Sequence, residues 1–118
     1  MENYDLSLDL TTEVAKLSAL RKSLSTNLAL NQDQYTILTL LFKVASILMS
    51  CSTKPIGKNN LTLLKSAFDE IEISYKLIST SETDISLQIS RTITNVDTSI
   101  DILENCIFEI EFNVGLDV

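Results

Sequence analysis

The chain contains no histidine. That absence removes the commonest general base near neutral pH, the usual zinc ligand and the Glu-x-x-His pairs of di-iron bundles. Its two cysteines, Cys51 and Cys106, stand too far apart for a metal knuckle or a redox pair. Both lie on or beside apolar faces, which fits free thiols serving as small hydrophobes in a reducing compartment better than a disulfide. Two glycines and one proline leave no glycine-rich phosphate loop. Gly57-Lys58 resembles the end of one, but Asn59 replaces the required Ser or Thr and no earlier glycine exists. No spacing singles out a nucleophile with its base, so the expectation is a non-enzymatic protein with no cofactor and no metal site.

Positive charge is nearly missing from the final third. Residues 81–118 hold Arg91 against Glu82, Asp84, Asp97, Asp101, Glu104, Glu109, Glu111 and Asp117, so this segment alone carries -7, the formal net charge of the whole chain. Residues 1–32 balance to -1 and residues 33–80 to +1. Such a field repels phosphate backbones, which argues against nucleic acid as a partner. Glu2 and Asp5 follow Met1 with no basic segment and no early apolar run. Nothing there resembles a secretory signal, and a cytoplasmic location is expected. In that setting the sequon Asn60-Leu61-Thr62 is accidental.

Long apolar runs are also scarce. The one candidate is Gln34–Thr53, QYTILTLLFKVASILMSCST, whose apolar residues point in nearly every direction around a helix. Lys43 stands at its centre, where a lysine in a bilayer costs on the order of 3 kcal/mol, and six Ser and Thr weaken the run further. A membrane span is therefore the weaker reading. The stronger is a core helix surrounded by its siblings, with Lys43 snorkelling from an end or edge.

What is present is helical periodicity. At 118 residues the chain makes one domain, large enough to hide about two-thirds of its unfolded surface. Leu6, Leu10, Val14, Leu17, Leu20, Leu24 and Leu28 form one stripe. Thr11 or Thr12 could cap a later start. Asn31 can close the first helix and cap the second, with Gln34 completing a capping box. Lys54-Pro55-Ile56-Gly57 breaks the chain, and Asn60 is placed to cap a third helix. There Leu61, Leu64, Phe68, Ile71, Tyr75 and Ile78 step by 3 and 4, the heptad spacing of lengthwise packing. A turn near Ser81 leads to the longest pattern, Ile85, Ile89, Ile93, Val96, Ile100, Leu103, Ile107 and Ile110. The alternative is a single rod from 60 to 112.

These spacings predict an all-α fold: an antiparallel four-helix bundle, helices at 5–30, 33–52, 60–79 and 82–112, the third and fourth coiled-coil-like. The alternative is α+β. Tyr4–Leu10 and Phe108–Val114 alternate apolar and polar residues, and a short ribbon pairing the N- and C-terminal segments would use both, at the expense of setting Asp5 and Asp9 beside Glu109 and Glu111.

Function is read from surfaces. The seam exceeds what three shorter helices need and is backed by acid, which suits helix pairing with another protein in a homodimer or hetero-complex. Its partner-binding residues are expected to be Ile93, Val96, Ile100, Leu103 and Ile107, with Asp97, Asp101 and Glu104 sharing the acidic back. An adaptor, assembly factor or small acidic chaperone fits. Acidic chaperones of bacterial secretion systems share this size and charge, an analogy with no motif behind it. The rival is an acidic inhibitor or immunity-type antagonist that blocks a basic protein or a nucleic-acid-binding site. Lys54, Lys58 and Lys65 around the Pro-Gly loop either meet an anionic surface or keep a loop soluble. Tyr35 and Tyr75 are expected in the core with hydroxyls at the rim.

Overall fold

A computed structural model describes residues 2–26, 30–54, 56–79 and 85–112, with side chains for 6–24, 36–54, 56–79 and 88–111. Four helices occupy them: α1 (Glu2–Thr26), α2 (Leu30–Cys51), α3 (Lys58–Ser79) and α4 (Ile85–Phe112). Among the described residues there is no strand. Tyr4–Leu10 belongs to α1 and Phe108–Phe112 to α4, so both alternating segments follow helical rather than strand periodicity. The Ser81 turn and residues 113–118 lie outside the described residues, as do the side chains of Asn31, Gln34 and Tyr35.

Side-chain pairs fix the directions. Ser7 donates to Glu111 Oε2 at 2.6 Å and Arg21 donates from Nε to Asp97 Oδ1 at 2.9 Å. Moving fourteen residues forward in α1 moves the partner fourteen back in α4, as antiparallel neighbours require. Lys54, just past α2, reaches Asp9 near the start of α1 at 3.6 Å, so α1 and α2 are antiparallel as well. Cys106 Sγ approaches the Asn60 carbonyl oxygen at 3.9 Å, which brings the start of α3 to the end of α4 and excludes the single rod. The closest packing is α3 on α4, then α1 on α4 and α2 on α3, while α1 and α2 touch sparsely. The helices thus run around the bundle in the order α1, α4, α3, α2, along an axis of 49 Å.

The core-facing seams are rotated one residue from the largest apolar side chains. In α3 the buried line is Asn60, Leu64, Ala67, Ile71, Ser74 and Ile78, and in α4 it is Ile89, Thr92, Val96, Ser99, Leu103, Cys106 and Ile110. Every second position is small. The register set by Asn60 and Cys106 brings Ala67 level with Ser99 and Ser74 level with Thr92, so small residues oppose small ones along the whole pair. That lets the two backbones approach closely, which explains why this is the tightest pair. The buried hydroxyls satisfy themselves within their helices: Thr92 donates to the Gln88 carbonyl at 2.7 Å, Ser99 to Asn95 at 2.9 Å and Ser74 to Glu70 at 3.0 Å.

Asn60, expected as a cap, acts otherwise, and the early start of α1 leaves Thr11 and Thr12, the caps of the alternative later start, inside the helix. Thr11 and Thr12 donate back to the carbonyls of Ser7 and Leu8 inside α1. Asn60 lies inside α3, buried, its Nδ2 donating to the Ile56 carbonyl at 2.9 Å. The α2–α3 connection turns instead on Gly57, whose φ of 86° lies in the left-handed region that favours glycine. Ile56 beside it closes the bundle end, 6% exposed.

Candidate functional site

Rotation of the seams decides what remains outside. Val96 and Leu103 are fully buried, and Ile93, Ile100 and Ile107 are half-buried against the same core. The seam expected to meet a partner is therefore covered by the chain's own helices in this bundle. Of the acidic back, Asp97 is held by Arg21, whose Nη2 also reaches Oδ2 at 3.4 Å, while Asp101 and Glu104 stand exposed.

The exposed apolar surface is elsewhere. Among the described side chains of α2, Ile37, Leu41, Val44, Leu48 and Cys51 are buried, a stripe at steps of 4, 3, 4 and 3, with Leu38, Leu40 and Ala45 partly buried beside it. The expectation that α2 is surrounded fails because it sits at a corner of the bundle with one close neighbour, α3. Phe42 is 64% exposed and Met49 56%. Lys43 is exposed in the middle of α2, at the helix's edge rather than its end. Among the described residues no helix is long and apolar enough to cross a membrane.

Phe42, Ala45, Ser46 and Met49 fall at i, i+3, i+4 and i+7 of α2, and Phe68, Ile71, Glu72 and Tyr75 repeat that spacing on α3. Together with Leu41 they line a groove of about 300 Å³ between the two helices. The cause is the seam shift: once Ala67 and Ser74 turn toward α4, Phe68 and Tyr75 must turn toward α2. Tyr75, expected in the core with its hydroxyl at the rim, is instead 37% exposed as part of this wall. Seven residues of helix make the groove about 10 Å long, two turns of a helix laid beside it.

A second depression of about 280 Å³ lies between α1 and α4, where Val14, Ile107 and Phe108 are rimmed by Glu104 and Glu111. The two concavities differ in charge. Between Thr36 and Lys54 there is no acid, and α3 balances Lys58, Lys65 and Lys76 against Asp69, Glu70 and Glu72, Lys76 paired with Glu72 at 3.7 Å. In α4, Arg91 stands against five carboxylates, Asp97, Asp101, Glu104, Glu109 and Glu111.

Both cysteines are free and buried. Burial pushes the Cys106 thiol up to about 12, with Cys51 and Glu109 adding to the rise, and burial also raises Cys51. An unfolded thiol ionises near 8.5, so the unfolded chain releases its proton first as pH rises. The preference of the fold for the neutral thiol is complete below that pH and is lost between there and about 12. Cys106→Ala should therefore flatten the alkaline fall of the urea midpoint between roughly pH 9 and 11. An unchanged slope would mean that Cys106 already ionises normally in the fold.

Among the described residues no group of three or more metal-ligating side chains comes together. No protein-family profile, curated protein or solved structure matches the chain, so the functional reading rests on the surfaces just described.

Proposed function

We propose that this chain is a non-enzymatic protein-protein interaction module, an adaptor, assembly factor or small acidic chaperone working in the cytoplasm, and that it docks its partner in the α2–α3 groove. The observation that carries this reading is the pair of matched stripes, with Phe42 and Met49 left mostly in water. Leu8, Ile73 and Phe108 are exposed singly, whereas Phe42, Met49 and Tyr75 line one concavity, and a contiguous exposed apolar patch marks an interaction surface. The lack of histidine and of any spaced nucleophile supports the non-enzymatic part.

The test is affinity capture from the native host with the wild-type chain, Phe42→Asp and Asp101→Lys. Both substituted side chains are exposed, so melting temperatures should stay within a few degrees of wild type. Partners held by the wild type should be lost with Phe42→Asp and kept with Asp101→Lys, and should persist in high salt. The antagonist reading rests on exposed Asp101 and Glu104 and expects the reverse: loss with Asp101→Lys, release by salt, indifference to Phe42.

A further inference from the structure

The concavity between α1 and α4 is a second surface, independent of the α2–α3 groove, and we infer that it takes a basic helix of another protein, one that carries two cations seven residues apart with an apolar side chain between them. The register of the two helices builds the site. With Ser7 against Glu111 and Arg21 against Asp97, Thr11 falls opposite Ile107 and Val14 opposite Glu104. Val14, Ile107 and Phe108 make an apolar floor of which Phe108 is 53% exposed, and Glu104 and Glu111 stand at its two ends. Seven residues of α4 separate those carboxylates, about 10 Å along the axis. Cations at i and i+7 of a helix laid alongside have the same separation.

Charge complementarity names the occupant. Both charged residues in the lining are carboxylates, and both are exposed. Glu111 accepts from Ser7 through Oε2, which fixes its carboxylate at the rim, and among the described residues no salt bridge reaches Glu104. Along the same edge of α4 the next charged positions are exposed Asp101 and then Asp97, held by Arg21, while Glu109 adds to the negative field. The cations of α1 and α4 lie off the site. Lys16 pairs with Glu13 and, seven residues from Asp9, shares the flank on which Asp9 meets Lys54 beside α2. Arg21 and Lys22 stand seven or more residues beyond Val14, about 10 Å away, and Arg91 stands thirteen before Glu104, about 20 Å away. A basic segment therefore meets unopposed attraction, whereas nucleic acid and anionic lipid are repelled. Salt loosens such a contact, so partners that persist in high salt report the α2–α3 groove alone.

A second copy fits less well. Its Lys58 and Lys65 have the right separation on α3, but between them on that edge stand exposed Thr62, which is polar, and Leu61, already half-buried against its own core. No apolar side chain is left to meet the floor.

The experiment titrates the full chain into a fluorescent helical peptide with Arg at i and i+7 and Leu at i+3 and i+4, read by anisotropy at 50 and 300 mM salt. Saturable binding that salt weakens is expected. Glu104→Arg changes an exposed side chain and should leave the melting temperature within a few degrees of wild type, yet weaken binding at least about tenfold. Phe42→Asp should bind as wild type does. A control peptide of the same composition with Arg at i and i+2, which lie on different faces of the helix, should bind at least about fivefold more weakly. Equal affinity for the two peptides would overturn the site and leave only the general acidity of α4. Binding that survives Glu104→Arg, or no saturable binding at millimolar chain, would overturn it as well, and loss of binding in Phe42→Asp would move the peptide to the α2–α3 groove. Sedimentation equilibrium showing a dimer that Glu104→Arg dissociates would assign the concavity to a second copy instead.

Discussion

Leu103→Ala should lower the stability of the bundle by about 3–5 kcal/mol, the range for removing most of a fully buried leucine and leaving its cavity. For a domain of this size that is roughly 10–20 °C in melting temperature. Ile100→Ala, three residues away, should cost about half as much or less. Both residues fit a heptad seam when the sequence is read by itself. In the structure Leu103 is completely inaccessible, stacked between Val96 and Ile110 one heptad either side, while Ile100 lies half-buried on the flank toward α1. Thermal and urea unfolding of the two variants therefore measures which line of α4 is the core. Equal losses would return Ile93, Ile100 and Ile107 to the centre, undo the small-residue contact with α3, and close the groove that the rotation opens.

The four helices were legible because their spacing is redundant. Each boundary falls within three or four residues of where the apolar periodicity and the Pro-Gly break put it. The rotation of each helix was not, and the reason is physical. In α3 the pairs 60/61, 67/68 and 74/75 offer two seams with identical 3–4 spacing, and the same holds for 92/93, 99/100 and 106/107 in α4. Hydrophobicity favours Leu61, Phe68 and Tyr75, yet the close approach of two antiparallel backbones needs Ala67, Ser74 and their small opposites. Only the pairing of the helices chooses, and pairing is not a property of either segment. The candidate site inherits that ambiguity, since Phe68 and Tyr75 line a groove only once Ala67 and Ser74 are inside. The lysines around the Pro-Gly loop were visible from the start, whereas the groove was not.

The same geometry changes the meaning of the acidic third. Its charge is not one free surface: Asp97 is bound by Arg21 and Glu111 accepts from Ser7, and these two contacts set the register of α1 against α4. Asp101 and Glu104 remain on the outside, on α4 rather than on the α2–α3 pair. The molecule is thus divided between the α2–α3 pair, which carries the more apolar groove, and the acidic outer side of α4.

Glu13→Leu should stabilise the fold by about 2–4 kcal/mol, raising the melting temperature by roughly 8–15 °C. The buried line of α1 is Leu6, Leu10, Glu13, Leu17, Leu20 and Leu24, five leucines and one carboxylate at unbroken heptad spacing, with Val14 displaced to the flank. The Glu13 side chain is 3% exposed; Oε2 meets Lys16 Nζ at 3.2 Å, and Oε1 has no hydrogen-bond partner. One salt bridge to a lysine that is itself 39% exposed does not offset the desolvation of a carboxylate with an orphaned oxygen. Leucine in that position completes the seam, and Lys16 keeps its hydration. Glu13→Gln separates the contributions, because it removes the charge and keeps a polar group in the same place, so its gain should be the smaller. Urea unfolding with an unchanged slope is the measurement. A loss of stability in Glu13→Leu would show that its pairing with Lys16 outweighs the burial penalty, and that the polar break in an otherwise leucine-lined helix holds the bundle together.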